Sequence, residues 1–531
     1  MKATRHDDEE ARRLVEAGHW AGTLIDEHLA AAAGEAPDAV AVVDRGRTWT
    51  YGELDDAVDR FAAALRRRGV ARGDVVSWLL PNWAEAIITH LATIRLGAVS
   101  NPIIPIYRHR ETAFILRQAG SRVVVIPQLF RGFDYPAMID EIRPDAPALA
   151  HVVVVGDDLR GDHVRFEDLL EEDRAVPTDE ERSAGDIALL LYTSGTTSAP
   201  KGVLHSHHTL EHENRSIIDF FSLSAADVVF MPSPVGHIIG VLYGMQLPFM
   251  LRTSVVLLDV WEPGTALELI ERHGCSFVVA ATPFLHGLVH HPSLADRDVR
   301  ALRTFACGGA DVPPTLIRAA TSALGCTVSR GYGSTEYPTA TACNETDPLD
   351  RRAGTDGRAI GQARTRIAPD GELQVRGPEL FLGYLDASLN VEAFTDDGWF
   401  RTGDLAHIDD QGYVEITGRQ KDIIIRGGEN ISAKEIEDEL AEHPDVADVA
   451  VVSSPDPVLV ERVCAVVVPR AGADITLTTV VDWLTARRLA RQKLPESLLL
   501  TDELPRNASG KVQKFLLRDL AREHAPQGVT R

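Results

Sequence analysis

A chain of 531 residues exceeds what one hydrophobic core can hold, so two or more domains are expected. Its 78 Asp and Glu against 54 Lys and Arg leave a net charge of −24. That acidity argues against a nucleic-acid or anionic-membrane face but leaves room for a local basic pocket; 44% hydrophobic and 25% charged residues are the balance of a soluble globular protein.

Residues 1–13 are densely charged, unlike a secretory signal. Residues 54–68 predict an amphipathic helix, 75–80 a strand, 85–96 a helix and 98–101 a short strand. The β-branched runs 123–126, 152–155, 255–258 and 277–280 predict buried strands. Alternation of this kind, from Trp49 to about Ala310, predicts an α/β fold with layered, parallel-rich sheets. The acidic stretch 167–186 reads as an exposed connector. The longest apolar region, 238–260, is interrupted by Gln246, Pro248 and Arg252, so it predicts a buried helix followed by a strand rather than a membrane span. After Gly361, strands at 372–376 and 413–417 mark a smaller β-rich unit. From about Lys421 a compact α+β pattern follows, with helices at 433–440 and 480–489 and strands at 449–453 and 462–468. The boundary near 419–422 divides the chain into a large domain, 1–419, and a small one, 420–531.

The five cysteines, Cys275, Cys307, Cys326, Cys343 and Cys464, form no C-x-x-C pair, and an odd count suits free thiols in a reducing cytoplasm. The cluster His205, His207, His208 and His212 lacks the Cys or carboxylate pattern of a metal site and reads as a polar helix start.

The strongest signal is 192–203, Y-T-S-G-T-T-S-A-P-K-G-V, which follows an apolar strand at 187–192 and precedes a helix-like segment at 209–221. Small hydroxyl residues and free backbone N–H groups ahead of a helix are the ingredients of a polyphosphate cradle, although the G-x-x-x-x-G-K-[ST] spacing is absent. Further motifs follow in order: Gly308-Gly309-Ala310, Gly331-Tyr332-Gly333-Ser334-Thr335-Glu336, Thr402-Gly403-Asp404, Gly418-Arg419-Gln420-Lys421-Asp422, Arg426-Gly427-Gly428-Glu429-Asn430-Ile431 and Pro505-Arg506-Asn507-Ala508-Ser509-Gly510-Lys511. Each is weak alone. Together and in this order they resemble the adenylate-forming superfamily of acyl-CoA synthetases, adenylation domains and luciferases. The local wording is most similar to medium-chain acyl-CoA and cyclohexanecarboxylate-CoA ligases.

The resemblance implies ATP, Mg²⁺ and coenzyme A, and a small domain that swings between two poses. It places Thr193, Ser194, Gly195, Thr196, Thr197 and Lys201 around the β- and γ-phosphates. Gly308, Gly309, Ala310, Gly331, Tyr332, Gly333 and Ser334 form the nucleotide slot, with Tyr332 against adenine. Thr335 contacts the α-phosphate, and Glu336 with Thr196 holds Mg²⁺. Asp404 accepts from the ribose hydroxyls with help from Arg419; as a bare motif Asp404 also fits a turn-stabilising role. Lys511 reaches the α-phosphate as a catalytic residue, its bland alternative being a solvated loop lysine. Lys421 is the hinge, and Gly427, Gly428 and Glu429 line the path of the pantetheine arm in the second pose.

On the acyl side, Pro232-Ser233-Pro234-Val235-Gly236-His237-Ile238-Ile239-Gly240 resembles the start of the substrate helix. His237 stands either between acyl group and thiol channel or as a satisfied core histidine. Ile238, Gly240, Val241, Tyr243, Cys307 and Tyr337 suggest a largely apolar pocket. The segment has no Asp to hold an α-ammonium, which disfavours an amino acid substrate. The implied activity is an acyl-CoA ligase for an apolar, non-amino carboxylic acid. A ligase loading a separate carrier protein and a non-catalytic acyl-nucleotide-binding protein stay open as alternatives, as does a homodimer.

One position departs from the family's pattern. Ser198 stands where the loop normally has glycine. A side chain there is either tolerated, or weakens ATP-driven adenylation while leaving thioester formation from a supplied acyl-adenylate intact.

Overall fold

A computed structural model describes residues 8–174, 181–193, 200–309, 312–426, 429–456, 459–507 and 510–524. Two large sheets dominate the first four hundred residues. One runs Arg358–Ala359, Thr341–Ala342, Thr327–Tyr332, Thr304–Cys307, Phe277–Ala280, Val229–Met231, Val255–Leu257, Val40–Asp44, Arg47–Thr50. Its six strands from Thr327–Tyr332 to Val40–Asp44 are parallel and its edges antiparallel. The other runs Lys201–Ser206, Ile187–Thr193, Val99–Pro102, Val75–Trp78, Ser121–Pro127, His151–Val155, Val164–Arg165, parallel except at the first pair. Val123, Val124, Val125 and Ile126 are each 0% exposed. Burial on both faces of the sheet explains why these runs read as continuously apolar.

Local chemistry sets the helices. Tyr51–Arg67 begins with a capping box, in which Thr50 accepts from the Glu53 amide and Glu53 from the Thr50 amide. Its buried stripe is Tyr51, Leu54, Val58, Phe61 and Leu65, and Arg66 and Arg67 close it against the helix dipole. Residues 238–260 form two buried helices, Ile238–Met245 and Leu247–Leu251, broken at Gln246, and then the strand Val255–Leu257. No helix among the described residues is long and apolar enough to cross a membrane.

Two expectations need correction. The helix expected at 209–221 is present as His207–Phe220, but a strand, Lys201–Ser206, stands between it and the motif at 192–203. Lys201–Ser206 pairs antiparallel with Ile187–Thr193, and the helix His207–Phe220 starts only after Ser206 caps it. The alternation of Val203 and His205 with Leu204 fits a pleated edge, which a short mixed run conceals. The acidic connector is also less free than its composition suggests. Phe166 and Leu169 are buried, Glu172 pairs with Arg67 and Arg68, and Arg182 pairs with the buried Asp26.

A four-stranded antiparallel sheet, Arg364–Ile367, Glu372–Arg376, Phe400–Ile408 and Val414–Arg419, packs its own core around Leu373, Phe381 and Phe400. After Arg419 a short turn, Gln420–Asp422, leads into the last unit. There Glu429–Ser432, Ile423–Arg426, Val460–Pro469 and Val446–Asp456 form a sheet joined by Ser497–Leu500. Its two clusters draw only on residues between Ile424 and Ala521. Arg518 binds the Lys421 carbonyl and pairs with Asp422, which ties the last helix to the turn. All five cysteines are free and buried.

One side chain joins the two large sheets. Asn82, just past the strand Val75–Trp78, donates to the carbonyls of Met231, Ser233 and Leu258 and accepts from the Val235 amide at 2.8 Å. The Met231 carbonyl also accepts from the Leu258 amide. Asn82→Ala removes the side-chain partner of the Val235 amide and of the Ser233 and Leu258 carbonyls, so we expect a loss of about 2–4 kcal/mol from the large unit. Urea unfolding followed by tryptophan fluorescence checks it; a midpoint equal to the parent's contradicts it.

Candidate active site

Strands Thr304–Cys307 and Thr327–Tyr332 lie side by side and end together. Beyond them the backbones touch. A Cβ on Gly308 would sit 2.8 Å from the Gly331 carbonyl oxygen, and one on Gly333 would overlap the Pro338 carbonyl at 1.8 Å. Only glycine fits either place, and the result is a flat floor of backbone. Ser334 closes the next turn, its amide donating to the Tyr337 carbonyl and its Oγ accepting from the Tyr337 amide.

The Tyr332 hydroxyl donates to Asp404 Oδ2 at 2.6 Å, and Arg419 Nε meets Asp404 Oδ1 at 2.9 Å. Asp404 and Arg419 face each other directly across two antiparallel strands. Burial, then the Asp404 charge, drives the Tyr332 phenol far above its ordinary range. Burial opposes the Arg419 charge, but Asp404, Tyr332, Asp422 and Glu336 together outweigh it and hold the guanidinium protonated.

Lys511 comes to the same place from the last unit. A Cβ on Gly510, at φ +80, would lie 2.9 Å from Pro283 of the helix Thr282–His290. Lys511 and Asn507 exchange hydrogen bonds, amide to side-chain oxygen and amide to carbonyl. Burial first, then repulsion from Arg419, pulls the Lys511 ammonium down to about 7, against the opposing pull of Asp404 and Asp422. The structure thus brings Lys511, Arg419, Asp404 and Tyr332 together. Lys421 is exposed at the turn between the units, and Glu429 is exposed opposite Arg426 in a hairpin.

A second group gathers at the stem of the 192–203 hairpin. Thr193 and Lys201 are cross-strand partners. The Lys201 ammonium lies over the Tyr384 ring at 5.1 Å, and the Tyr384 hydroxyl donates to Glu336 Oε1 at 2.8 Å. Backbone bonds from Leu382 to Leu204 and from Leu385 to Gly202 zip the Tyr384 segment onto the strand Lys201–Ser206. Tyr384 escaped the sequence reading because an isolated tyrosine among F-L-G-Y-L gives no periodic or charge signal. His205 Nε2 meets the Thr335 carbonyl at 2.8 Å, so that nitrogen carries the proton and Nδ1 accepts from Thr209. Burial lowers the His205 imidazole to about 4, which keeps it neutral and holds Thr335 in place at ordinary pH. Ser194, Gly195, Thr196, Thr197, Ser198, Ala310, Gly427 and Gly428 lie outside the described residues.

The histidine cluster opens the helix His207–Phe220, as expected, but its rings turn inward instead of to solvent. His207 accepts from the Ile25 amide, His208 stacks on Trp20 at 4.9 Å, and His212 donates to the His19 carbonyl. No group of three His, Cys, Asp or Glu side chains among the described residues is placed to hold a metal. Glu336, a single carboxylate beside a hydroxyl-rich hairpin, suits a hard cation that takes most of its ligands from phosphate.

The acyl side differs from expectation in detail. His237 caps the helix Ile238–Met245 through its Nδ1, and burial lowers it to about 4. Ile238 and Val241 pack into the core. Ile239 is the side chain beside Gly309, 3.9 Å from where a Cβ would lie. Gly240 is a packing glycine, since its Cβ would fall 2.3 Å from the Pro234 carbonyl. Cys307 is 1% exposed, and burial pushes its thiol up to about 12. Tyr337 and Tyr243 are buried with their hydroxyls on Glu379 and Glu213, so they brace the site from beneath rather than present an apolar wall.

The chain belongs to the AMP-binding enzyme family, whose signature covers residues 29–385, and residues 435–511 match the C-terminal domain of AMP-binding enzymes. Within it the chain is an acyl-CoA ligase of the AMP-forming type. It is 35% identical to the medium-chain fatty-acid–CoA ligase of Escherichia coli K12, over 98% of this chain and 94% of that one. It is also 35% identical to the indoleacetate–CoA ligase of Aromatoleum aromaticum, over 95% and 98%. ATP-bound MatB from Rhodopseudomonas palustris superposes with a TM-score of 0.85 at 31% identity, covering 94% of this chain and 99% of that one. The apo form of the same protein gives 0.74 at the same identity, covering 95% and 99%.

The setting of Lys511 yields a pH signature. Above about pH 7 the free protein holds Lys511 neutral, whereas an unfolded lysine stays charged to 10.5. The unfolded state therefore binds the extra proton in that window, and this group's contribution to stability rises with pH from about 7 to 10.5. Phosphate charge beside the amine reverses the shift, so ATP binding at pH 8.5 takes up about one proton. Calorimetry in two buffers of different ionisation enthalpy measures it; uptake that persists in Lys511→Met assigns the proton elsewhere.

Proposed function

We propose that this ligase activates an apolar, non-amino carboxylic acid in two steps. A carboxylate oxygen attacks the α-phosphorus of ATP; the new O–P bond forms as the bond to pyrophosphate breaks. The thiol of coenzyme A, losing its proton, then attacks the acyl carbonyl, and AMP leaves with the bonding electrons. The observation that carries the first step is the delivery of Lys511 onto the Tyr332–Asp404–Arg419 group, where an ammonium meets charge developing at phosphorus.

Asp404 accepts from the ribose hydroxyls with Arg419 holding its second oxygen, and Tyr332 rests against the base over the Gly308–Gly309 backbone. Thr335, fixed by His205, meets the α-phosphate. Thr193 and Lys201 present the hairpin, whose Ser194, Gly195, Thr196 and Thr197 surround the outer phosphates. Glu336 with Thr196 would hold Mg²⁺, which would neutralise phosphate charge. Lys421 serves as the hinge of the small domain, 420–531, and Gly427, Gly428 and Glu429 enter in the second step.

His237 and Ile239 border the acyl group. The absence of an acidic residue from 232–240 supports a substrate without an α-ammonium. The relatives' names span fatty and aromatic acids, so the side chains of this pocket choose the acid.

A panel of fatty, alicyclic and aromatic acids, assayed by mass spectrometry for acyl-CoA with ATP and Mg²⁺, is expected to return a non-amino acid as the best substrate. Preference for an amino acid, or thioester formation only on a carrier protein, overturns the reading. Lys511→Ala is expected to slow pyrophosphate release by about 10²–10³ while retaining thioester formation from a supplied acyl-adenylate. Equal loss in both half-reactions removes Lys511 from its assigned role.

A further inference from the structure

Beneath the site lies a layer of buried polar side chains that the two-step chemistry leaves unused. Glu213, on the helix His207–Phe220, is 0% exposed, as is Glu379. Glu379 accepts from Ser216 at 3.0 Å and from Tyr337 at 2.6 Å. Glu213 accepts from the Tyr243 hydroxyl at 2.5 Å through Oε1 and is reached by Thr339 as well. Two carboxylates in one dry layer do not both ionise. Glu213, wholly buried and facing a second carboxylate, is the neutral acid.

The groups facing Glu213 come from every element around it. Tyr243 belongs to the acyl-side helix, Tyr337 to the nucleotide loop and Glu379 to the segment after Arg376. His212 stands on its own helix beyond Glu379, and Arg364 lies on the Tyr337 side. Burial, then the Glu379 charge, pushes the Glu213 carboxyl up to about 8.

Glu213 also sits where the two halves of the site join. Tyr243 lies one helical turn beyond Ile239, on the face that meets Gly309. Its hydroxyl is 2.7 Å from Thr339 Oγ1, and Thr339 precedes Ala340, whose amide binds the Tyr332 carbonyl. The chain Glu213–Tyr243–Thr339 thus spans from the acyl-side helix to the nucleotide loop.

We propose that Glu213 is a positioning residue for the acyl pocket, which as a neutral acid holds Tyr243 against Thr339 and so sets the gap between the helix Ile238–Met245 and the nucleotide loop. Ionisation puts a second negative charge in the layer beside Glu379, and that repulsion loosens the gap. This rests on the assignment of the Ile239 face to the acyl group.

The test has two arms. Infrared difference spectra between the parent and Glu213→Gln need no substrate. A protonated-carboxyl band is expected at pH 7, disappearing as the pH reaches 9.5. In the kinetic arm octanoate is the probe. Its KM in the parent is expected to rise about tenfold from pH 7 to pH 9, as a single group of this kind titrates. Glu213→Gln, isosteric with the neutral acid, is expected to stay within about threefold of the parent at pH 7 and to lose the alkaline rise. Glu213→Ala is expected to raise KM about tenfold at pH 7, with circular dichroism showing that it folds. The proposal is overturned by absence of the band at pH 7, by an alkaline rise that survives in Glu213→Gln, or by Glu213→Gln matching Glu213→Ala. An octanoate reaction that fails in the parent counts against the substrate reading alone, and the infrared arm then decides the state of Glu213.

Discussion

The charge on Asp404 is the constraint around which the nucleotide end of this enzyme is organised. A buried carboxylate is costly unless its oxygens are satisfied, and here Tyr332 takes one and Arg419 the other. Each partner belongs to a different part of the molecule. Tyr332 ends a strand of the nine-stranded sheet, and Arg419 is the last strand residue before the turn into the small unit. Satisfying one carboxylate therefore aligns the sheet that carries the glycine floor with the segment from which the small unit departs. Lys511 then enters a field already set by one buried anion and its partly exposed cation, which is why its own charge is so finely balanced.

The same economy recurs at the phosphate end. Lys201, Tyr384, Glu336 and Thr335 come from three separate segments, yet each is held by backbone or buried polar contacts rather than by exposed ion pairs. Exposed pairs are plentiful on this acidic surface but are worth little in water. Tyr384 takes its place through main-chain bonds to the strand Lys201–Ser206, and His205 does so through a tautomer fixed by a carbonyl. Groups held this way cost no reorganisation when charge develops, which is the condition for electrostatic catalysis.

Much of the scaffold was legible because burial leaves periodic marks. The runs at 123–126 and 152–155 lie within observed strands, and 277–280 coincides with Phe277–Ala280. Failures came where the signal was local and mixed. Lys201–Ser206 hid its strand character behind a glycine, a histidine and a serine, so only the helix that follows it was legible. Ile238 and Ile239 are equivalent as letters, and the helix phase alone turns Ile239 toward Gly309. Tyr337 and Tyr243 read as apolar lining because a sequence does not tell which hydroxyl meets a buried carboxylate.

Order and identity of short motifs were enough to determine the family, since glycines that must touch backbone tolerate few substitutes. Helix and strand placement followed from hydrophobic period in the same way. What only the folded chain decided is which distant residues share a layer: Glu213 with Tyr243 and Thr339, Tyr384 with Glu336 and Lys201, and Lys511 with Arg419. The reason is physical. Periodicity records whether a residue is buried, whereas the energy of a buried polar group depends on partners that stand far away in sequence and leave no local trace.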